Sequence, residues 1–501
     1  MAKYDLIVIG SGHNGLIAGA KLAKSGLKTL VLEKAPLLGG CTRSDPNLFP
    51  GYKVNTGGIA IQRPIMRIAK DLGLAEFGFE PIEVPENKPV LYYMVGENYE
   101  KVIPVYRDVE ATCEGIAKYS KKEADGYRRM MQDWAPFTRA IGHVFGLTEP
   151  SYTELFRVME SLGPKAMWLY LGKASDVIKE YLSTDWMGGV FRIAWAAGFS
   201  FNQPGTAYGT QYVPSVHWRP PFRAKGGMAG LVEPLAKLIE YHGGTVRKNS
   251  GVSKIIVENG QAKGVRLETG EEIQASIILS GTNAKITYLR LVGEDKLPAS
   301  MVDWTRRQIE AYSMCVLYLT LSERFPIDCP EFQMAKGLQH LADVGAAWDE
   351  GRLGTPCLYI DNVCPSDPTM APTGGNCIAL EDIITCHMER SAWEAIREKR
   401  AEQMLDELEK VWPEARRKII DRRLLTPVEY ERDLNLWQGS VIGPGPTLEH
   451  MYSLRLPYRS PIKNLYITGM SAHPIGGIIG IPGVNAAKVI TEDLEKGRLK
   501  K

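Results

Sequence analysis

Three glycines near the start of the chain have the spacing of a turn that binds a dinucleotide. The segment Gly10-Ser-Gly-His-Asn-Gly15 fits the pattern G-x-G-x-x-G, and it lies between a predicted strand and a predicted helix. Gly10 would allow the tight turn, Gly12 would let the backbone approach a pyrophosphate, and Gly15 would let helix and strand pack closely. The N-terminus of that helix would face the phosphates with its partial positive charge.

An acidic residue follows at the position where a ribose would lie. Glu33 ends the second predicted strand, 18 residues after Gly15. Its carboxylate can accept hydrogen bonds from ribose hydroxyls and would repel a 2′-phosphate. The glycine pattern alone is weak, because a turn without a ligand can produce it. With the strand, the helix and Glu33 it predicts a dinucleotide site, although it does not separate NAD from FAD.

Two further glycine turns favour FAD. Gly39–Gly40 follow Glu33 closely and would pass near a flavin. At the other end of the chain, the segment from Gly469 to Gly477 follows a predicted strand and precedes a helix that starts near Gly483. The N-terminus of this last helix could stabilise negative charge on the N1/O2 edge of a reduced flavin.

The elements that must position these turns begin with a β-α-β unit. Apolar runs at Asp5–Ile9 and Thr29–Leu32 predict buried parallel strands joined by a crossover helix, and Gly26 fits the end of that helix. A β-meander is predicted over 244–280, because Asn259–Gly260 is a strong hairpin signal. The other predicted helices and strands include Tyr152–Lys173, Leu231–Tyr241, Ser391–Val411 and Leu465–Thr468.

These patterns predict an α/β fold in two parts. The first is a Rossmann-type FAD-binding domain with a β-meander insertion, and the second is a discontinuous α+β substrate domain. We assign 1–85, 222–300 and 425–501 to the FAD-binding domain, and 86–221 and 301–424 to the substrate-binding domain. Both ends of the chain would then build the cofactor site.

Composition excludes several classes of protein. The chain carries 60 basic and 58 acidic residues, and this balance argues against a nucleic-acid partner. No apolar run approaches the roughly 18 residues of a membrane-spanning helix, and we find no leader segment, C-x-x-C pair or metal-type spacing. We therefore expect a soluble, cytoplasmic protein with free thiols and no metal. Peripheral contact with a membrane through an apolar patch stays open.

Several stretches resemble the phytoene desaturase and carotenoid isomerase group of FAD proteins, within the glutathione-reductase-like flavoprotein superfamily. These stretches are Asp5 to Gly40, Gln203 to Ala207, Lys225 to Ser280 and Asn464 to Ala487. The chain departs from that group in two places. It keeps only part of an arginine-rich turn, as Cys41-Thr-Arg43, and it carries Gln438–Gly439 where relatives often have a His-Gly pair.

The resemblance implies FAD as the cofactor and indicates its contacts. The residues expected to hold the ADP half are Gly10, Gly12, Gly15, Glu33, Gly40 and Val252. The residues expected near the ribityl chain and the isoalloxazine are Thr42, Arg43, Gly469, Gly477, Pro482 and Val484. Asn14 and Lys34 complete the set of candidate cofactor-binding residues.

Absent motifs narrow the chemistry. The sequence has no second G-x-G-x-x-G pattern, so it gives no sign of a separate NAD(P)H domain. It also has no cysteine pair of the kind that a disulphide reductase uses. A flavin would then take a hydride from a carbon of the substrate. The resemblance implies desaturation of a lipophilic or cyclic small molecule, in which the neighbouring carbon loses a proton and oxygen or a quinone reoxidises the flavin. If the substrate carries a carbonyl, that proton is acidic and a base would help.

Three residues are candidates for a catalytic role. His473 lies in the glycine turn on the flavin side, where the alternative is a structural histidine bonded to the backbone. Tyr208 and His217 lie in the segment rich in proline and glycine where the two domains would meet. Cys41 falls close to the expected flavin site, either as a reactive thiol or, as we favour, as a small buried one.

Trp437, Gln438 and two aromatic stretches give a second set of candidates for the substrate pocket. Trp437 and Gln438 could line it, since they replace the His-Gly region of the relatives. The stretches Trp168–Tyr170 and Trp186–Phe201 could form a lipophilic tunnel, although such stripes more often belong to the core.

Four functions stay open at this point. The first is the desaturase, and the second is an isomerase in which reduced flavin acts without net oxidation. The third is a flavin-loaded protein that binds a partner without catalysis. The fourth is an amine oxidase, whose usual aromatic pair before the final glycine turn is not evident here.

Overall fold

The fold was determined as a computed structural model. It describes residues 4–192, 201–202, 204–384, 388–445 and 447–499. Of the predicted features, Gln203 and positions 193–200 of the second aromatic stretch lie outside the described residues.

The strands and helices below carry labels in chain order. The strands are β1 (Tyr4–Ile9), β2 (Thr29–Leu32), β3 (Ser44–Asp45), β4 (Val54–Asn55), β5 (Pro81–Ile82), β6 (Leu91–Val95), β7 (Lys101–Val105), β8 (Arg223–Ala224), β9 (Thr245–Arg247), β10 (Val252–Glu258), β11 (Gln261–Leu267), β12 (Glu272–Ser280), β13 (Ser313–Leu321), β14 (Glu331–Met334), β15 (Leu358–Asp361), β16 (Asn376–Ile384), β17 (Ile419–Leu425) and β18 (Leu465–Ile467). The α-helices are α1 (His13–Lys24), α2 (Pro64–Leu72), α3 (Val109–Ala117), α4 (Lys121–Phe145), α5 (Tyr152–Ser161), α6 (Pro164–Leu171), α7 (Ala174–Tyr181), α8 (Asp185–Gly188), α9 (Tyr212–Trp218), α10 (Ala229–Tyr241), α11 (Ala299–Arg307), α12 (Leu338–Asp349), α13 (Arg390–Val411), α14 (Ala415–Lys418), α15 (Pro427–Leu434) and α16 (Ile481–Glu495). Short 3-10 turns include Ala207–Gln211, Trp437–Gly439 and Gly469–Ser471, and Ile286–Gly293 is a π-helix.

The first sheet has the predicted Rossmann arrangement. Its order is β10-β11-β12-β1-β2-β9, and β18 also pairs with β12. β1 runs parallel to both neighbours, with Ile7 opposite Leu30 of β2 and Ile278 of β12. Leu6 and Val8 of β1 pack with residues of α1 and α10 in one apolar cluster, and Ile7 and Ile9 pack in a second cluster on the other face. The predicted β-α-β unit is confirmed.

The predicted meander is also present, as β10, β11 and the first half of β12. Asn259 and Gly260 both have left-handed backbone angles, with φ of 49° and 71°. This conformation suits a two-residue hairpin, which explains why the Asn-Gly pair was a reliable signal.

The second sheet has the order β17-β13-β16-β15-β14-β6-β7, so it combines strands from two distant parts of the chain. One face packs on α13, where Leu380 of β16 joins Met404 and Leu408 in an apolar cluster. Helices from residues 109 to 218 cover part of the other face and bury side chains such as Trp134 against it. The architecture is therefore the predicted α/β fold with an α+β second part.

One predicted element differs from the structure. The helix expected over Tyr152–Lys173 is two helices, α5 and α6, because Gly163 takes a left-handed φ of 90° and Pro164 starts a new first turn. Across the described residues, no helix combines the length and the apolar character that crossing a membrane requires.

Candidate active site

A cavity of about 830 Å³ lies between the two sheets. One part of its wall comes from the turn after β1 and the start of α1, and another comes from β13, β15 and β16. Its size is in the range of ligand sites in proteins. Most of the predicted cofactor-binding residues meet along this wall.

The glycine turn forms a cradle with room for a ligand. A side chain at Gly15 would place its Cβ 2.8 Å from the carbonyl oxygen of Gly10, so this position needs glycine for packing. A Cβ at Gly12 would meet nothing within 4 Å and would project into open space at the cavity wall. No side chain caps the start of α1, so its first N–H groups stay available for an anionic group. This geometry fits a pyrophosphate.

Glu33 is fixed beside the cradle by hydrogen bonds. Its Oε2 accepts from the backbone N–H of Ser11 at 2.9 Å and from the Ser11 hydroxyl at 2.6 Å. Its Oε1 accepts from the backbone N–H of Ala35 at 2.8 Å. The carboxylate lies on the cavity wall with Val252, while Lys34 pairs with Glu268 at 2.8 Å near the surface. The sequence prediction missed Ser11, whose type is not part of the glycine pattern.

The segment after the Gly39–Gly40 turn reaches the same cavity. The Thr42 hydroxyl lies 2.8 Å from Nδ1 of His13, and Nε of Arg43 donates to the Thr56 hydroxyl at 3.0 Å. Burial lowers the pKa of His13 to about 4, so its ring is neutral at pH 7. Gly40, Thr42 and Arg43 all lie on the cavity wall.

The C-terminal glycine turn closes the site from the other side. Gly469 and Gly477 lie on the wall with φ of 85° and 102°, and a Cβ at Gly477 would meet nothing within 4 Å. Pro482 and Val484 lie in the first turn of α16 but not on the wall, because the start of that helix packs against α1. Asn14 lies on the wall and holds the two helices together, since its Oδ1 accepts from the N–H of Gly483 at 3.2 Å.

A buried arginine that the sequence prediction missed supports this turn. Arg455 donates from Nε to the carbonyl of Ala472 at 2.9 Å, from Nη1 to the carbonyl of His450 at 3.0 Å and from Nη2 to the carbonyl of Met470. Burial lowers the pKa of Arg455 to about 10, so the guanidinium stays charged at pH 7. The signal in the sequence would have been an arginine shortly before β18, which is not specific.

Comparison with known proteins decides the family. A family model described as flavin containing amine oxidoreductase matches residues 15–480. The chain belongs to this family. Its relatives include pyridine nucleotide-disulfide oxidoreductase domain-containing protein 2 of Mus musculus, 26% identical over 98% of this chain and 94% of the relative. They also include a 4,4'-diapophytoene desaturase of Methylomonas sp, 23% identical over 94% and 92% of the two chains. Prolycopene isomerase of Daucus carota is 26% identical over 98% of this chain and 80% of the relative.

Solved structures share the fold. An oxidoreductase from Methanosarcina mazei covers 97% of this chain and 100% of its own, with a TM-score of 0.66 and 16% identity. Putrescine oxidase bound to putrescine gives a TM-score of 0.67 at 14% identity, over 98% and 99% of the two chains. As a member of the flavin family with this cradle, the protein is an FAD-dependent oxidoreductase related to carotenoid desaturases and an isomerase. The predicted family, fold class and cofactor are confirmed.

Only one of the three predicted catalytic residues lies on the cavity wall, and it is Tyr208. His473 is buried outside the wall and donates from Nε2 to the carbonyl of Val144 at 3.0 Å. His217 accepts a hydrogen bond at Nε2 from the Tyr127 hydroxyl at 2.8 Å, and its other nitrogen bonds a backbone carbonyl. Burial lowers the pKa of each histidine to about 4. Both rings are therefore neutral and held within the protein, so the structure does not bring them to a ligand in this cavity.

The other predicted pocket residues also lie elsewhere. Trp437 packs beneath the guanidinium of Arg290, whose Cζ is 4.5 Å from the ring, and Gln438 borders a separate surface depression. Tyr170 is buried in the helical core against Tyr208, which accounts for the Trp168–Tyr170 stripe. The aromatic residues on the cavity wall are Phe145, Tyr208, Tyr212, Tyr312 and Tyr359.

Cys41 does lie on the cavity wall. Burial raises the pKa of its thiol to about 12, although the nearby charge of Arg43 acts in the opposite direction. The group is thus a neutral thiol at pH 7, which argues against a nucleophile, but it is half-buried rather than fully buried as we favoured.

The wall formed by the second sheet contains charged residues that the sequence prediction missed. Glu381 of β16 and Arg192, which follows α8, both line the cavity there. Burial raises the pKa of Glu381 to about 7. A signal was present, because Glu381–Asp382 interrupt an otherwise apolar strand, and acidic residues are rare at such positions.

Proposed function

We propose that this oxidoreductase is a desaturase that removes a hydride and a proton from adjacent carbons of a lipophilic or cyclic substrate. One observation carries the proposal. The cavity that is lined by the dinucleotide cradle is also lined by the second sheet, where apolar and aromatic side chains adjoin Glu381 and Arg192. A substrate held against the second sheet would share this one cavity with the cofactor.

FAD, when bound, supplies the acceptor for the hydride. The chain would bind the substrate in one orientation and keep water away from the reacting carbons. Residues of the wall that would do this are Ile141, Phe145, Tyr212, Tyr312, Val441 and Ile442. Apolar surface that leaves water contributes about 25 cal/mol per Å², so such a wall favours a lipophilic ligand.

The relatives support the same substrate class and reaction. One is a 4,4'-diapophytoene desaturase, and others are phytoene desaturases such as that of Cereibacter sphaeroides. Oxygen or a quinone would complete the cycle by accepting the electrons. Desaturation predicts that one acceptor is consumed for each product formed.

The second candidate is an isomerase without net oxidation. It is supported by the relative prolycopene isomerase. The two functions differ in their use of an acceptor, because an isomerase would turn over without consuming oxygen or quinone.

The test is an anaerobic titration of the purified holoenzyme. We would follow the flavin absorbance while adding 2-decalone, cyclohexanecarboxylic acid or phytoene in detergent. Bleaching by any of them, with formation of the unsaturated product, supports the desaturase. An unbleached flavin together with isomerised product would replace it with the isomerase. A flavin that no compound bleaches or uses would favour a binding protein without catalysis.

A further inference from the structure

Glu381 occupies an unusual position on the floor of the cavity. It is the partly exposed residue of β16, whose other residues are all buried. Its neighbour Leu380 packs on the opposite face of the sheet, so the alternation of a strand turns Glu381 toward the cavity. In the register of the sheet it lies between Val316 of β13 and Tyr359 of β15.

Among the described residues, the carboxyl of Glu381 has no hydrogen-bond or ion-pair partner, unlike the acids around it. Asp382 pairs with Arg400. Glu331 and Asp361 share Arg223, whose Nη2 lies 3.2 Å and 2.8 Å from their oxygens. Within the part of the chain that the structure describes, no donor bonds to the Glu381 carboxyl and no cation lies within ion-pair distance of it. This half-buried carboxyl on the cavity wall is therefore free to bond a ligand there.

A guanidinium lies near Glu381, although beyond ion-pair distance of its carboxyl. Arg192 is 1% exposed and donates from Nη2 to the backbone carbonyl of Glu381 at 3.1 Å. It also bonds the Cys357 carbonyl and stacks over the ring of Tyr359. No carboxylate forms an ion pair with it among the described residues. The cavity wall therefore presents a carboxyl and a guanidinium with no ion pair between them.

The surroundings of Glu381 explain why its pKa is raised to about 7. Burial is the main cause, and the nearby charge of Arg192 opposes it. The other titratable groups that face it, from β13 to β16 and α15, are Glu331, Asp361, Asp382, Tyr318, Tyr359 and Tyr430. A carboxyl with such a pKa exists in both forms near neutral pH, as proton transfer to and from carbon requires.

Other groups on the wall are less suited to this task. Burial raises the pKa of Tyr208 well above its ordinary value and that of Cys41 to about 12. Glu33 lies beside the dinucleotide cradle and is engaged by Ser11. Glu381 is thus the group whose position and freedom match a proton acceptor.

We propose that Glu381 is the catalytic base and that the substrate carries a carbonyl next to the carbon that loses the proton. This inference rests on the proposed desaturase function. The Glu381 carboxylate takes the proton, the electron pair of that C–H bond forms an enolate, and Arg192 stabilises its oxygen. The adjacent carbon would then give up a hydride, for which bound FAD would supply the acceptor, while the C=O bond re-forms and a double bond joins the two carbons.

The same pair of charges disfavours a pure hydrocarbon. A hydrocarbon that covered the floor would remove water from Glu381 and Arg192 without replacing its hydrogen bonds, which costs free energy. A carbonyl compound offers an oxygen to the guanidinium and an acidic C–H to the carboxylate. Specificity would then come from penalties against the wrong ligand as well as from contacts with the right one.

The experiment isolates proton transfer from oxidation. Holoenzyme reduced with dithionite cannot accept a hydride, so deuterium wash-in at the α-carbons of 2-decalone in D₂O reports the base alone. In the wild-type protein we expect the rate of exchange to rise with pH and to level off above about 7. In Glu381→Gln the rate should fall by about 10²–10⁴-fold. The control is Asp421→Asn, which changes an acid of the same sheet away from the cavity and should leave the rate of exchange unchanged. Infrared titration should also show a protonated carboxyl near pH 7 that Glu381→Gln lacks.

Each other outcome has a defined meaning. No exchange by the wild-type protein, equal exchange by Glu381→Gln with full flavin content, or no carboxyl that titrates near pH 7 would overturn the inference. Bleaching of oxidised enzyme by phytoene but not by 2-decalone would overturn the carbonyl class while leaving the desaturase standing. Exchange without bleaching by any compound would retain the base and overturn the desaturase.

Discussion

The amide oxygen of Asn14 accepts a hydrogen bond at 3.2 Å from the backbone N–H of Gly483, which lies 469 residues further along the chain. The amide nitrogen of the same side chain lies 3.0 Å from Nε2 of His13. Asn14 thus joins the first turn of α1 to the first turn of α16. Both helix N-termini are held at the cavity by one side chain, so the two ends of the chain depend on each other for the cofactor site.

Replacement of Asn14 should separate its structural and its cofactor roles. Asn14→Asp retains the acceptor for Gly483 but adds a negative charge where phosphates would lie, so we expect weaker FAD retention with little loss of stability. Asn14→Ala removes the hydrogen bond and should lower the free energy of unfolding by about 1 kcal/mol. Flavin content after dialysis and denaturant unfolding would measure the two effects. Equal flavin retention in Asn14→Asp and the wild type would contradict a phosphate at this position.

Gly12 and Gly15 should fail in different ways when enlarged. The φ and ψ of Gly12, −57° and 151°, suit any residue, and a Cβ there meets only open space. Gly12→Val should therefore fold with nearly unchanged stability and yet lose FAD. Gly15→Val would press against the Gly10 carbonyl and should lower stability by about 1–3 kcal/mol as well. Thermal unfolding of the apoproteins, compared with flavin content, distinguishes the two; normal flavin content in Gly12→Val would remove the cradle assignment.

Local signals account for what the sequence predicted well. β2 has the predicted ends, and the predicted start of β1 is one residue late. Apolar runs, glycines with fixed roles and the Asn259–Gly260 hairpin act within a few residues of one another. The cofactor wall was predictable for the same reason, since its residues belong to such turns.

Long-range packing accounts for what the sequence could not reveal. His473 follows a glycine turn at the cavity, yet its ring bonds Val144 at the end of α4, a contact that no local pattern encodes. Glu381 reaches the cavity because β16 pairs with β13 and β15 in one register. A shift of one residue would turn its side chain to the other face. The strand itself could be predicted only roughly, and its register not at all.

Arg455 should be essential for the shape of the C-terminal glycine turn. Arg455→Met would leave buried carbonyls of Met470 and Ala472 without donors, at a cost of about 1–3 kcal/mol for each group. We expect reduced stability and weak flavin binding, with partial recovery in Arg455→Lys because lysine cannot reach all the acceptors at once. Arg498→Met is the control, since that side chain is 58% exposed and its buried partner Asp493 keeps its bonds to Arg459 and Tyr466. If Arg455→Met bound FAD as the wild type does, the turn would be held by other contacts.

His473 should make the protein sensitive to acid. Burial lowers its pKa from 6.5 to about 4 in the folded chain. The unfolded chain therefore takes up the proton first as the pH falls. The stability from the neutral ring is complete above pH 6.5 and is lost between pH 6.5 and 4, to a total of about 3 kcal/mol.

His473→Gln can still donate to Val144 but does not titrate, so its free energy of unfolding should fall less steeply in this range. Denaturant unfolding of both proteins at a series of pH values would measure the slopes. Identical slopes for His473→Gln and the wild type would mean that the ring is protonated in the folded protein as readily as in the unfolded chain.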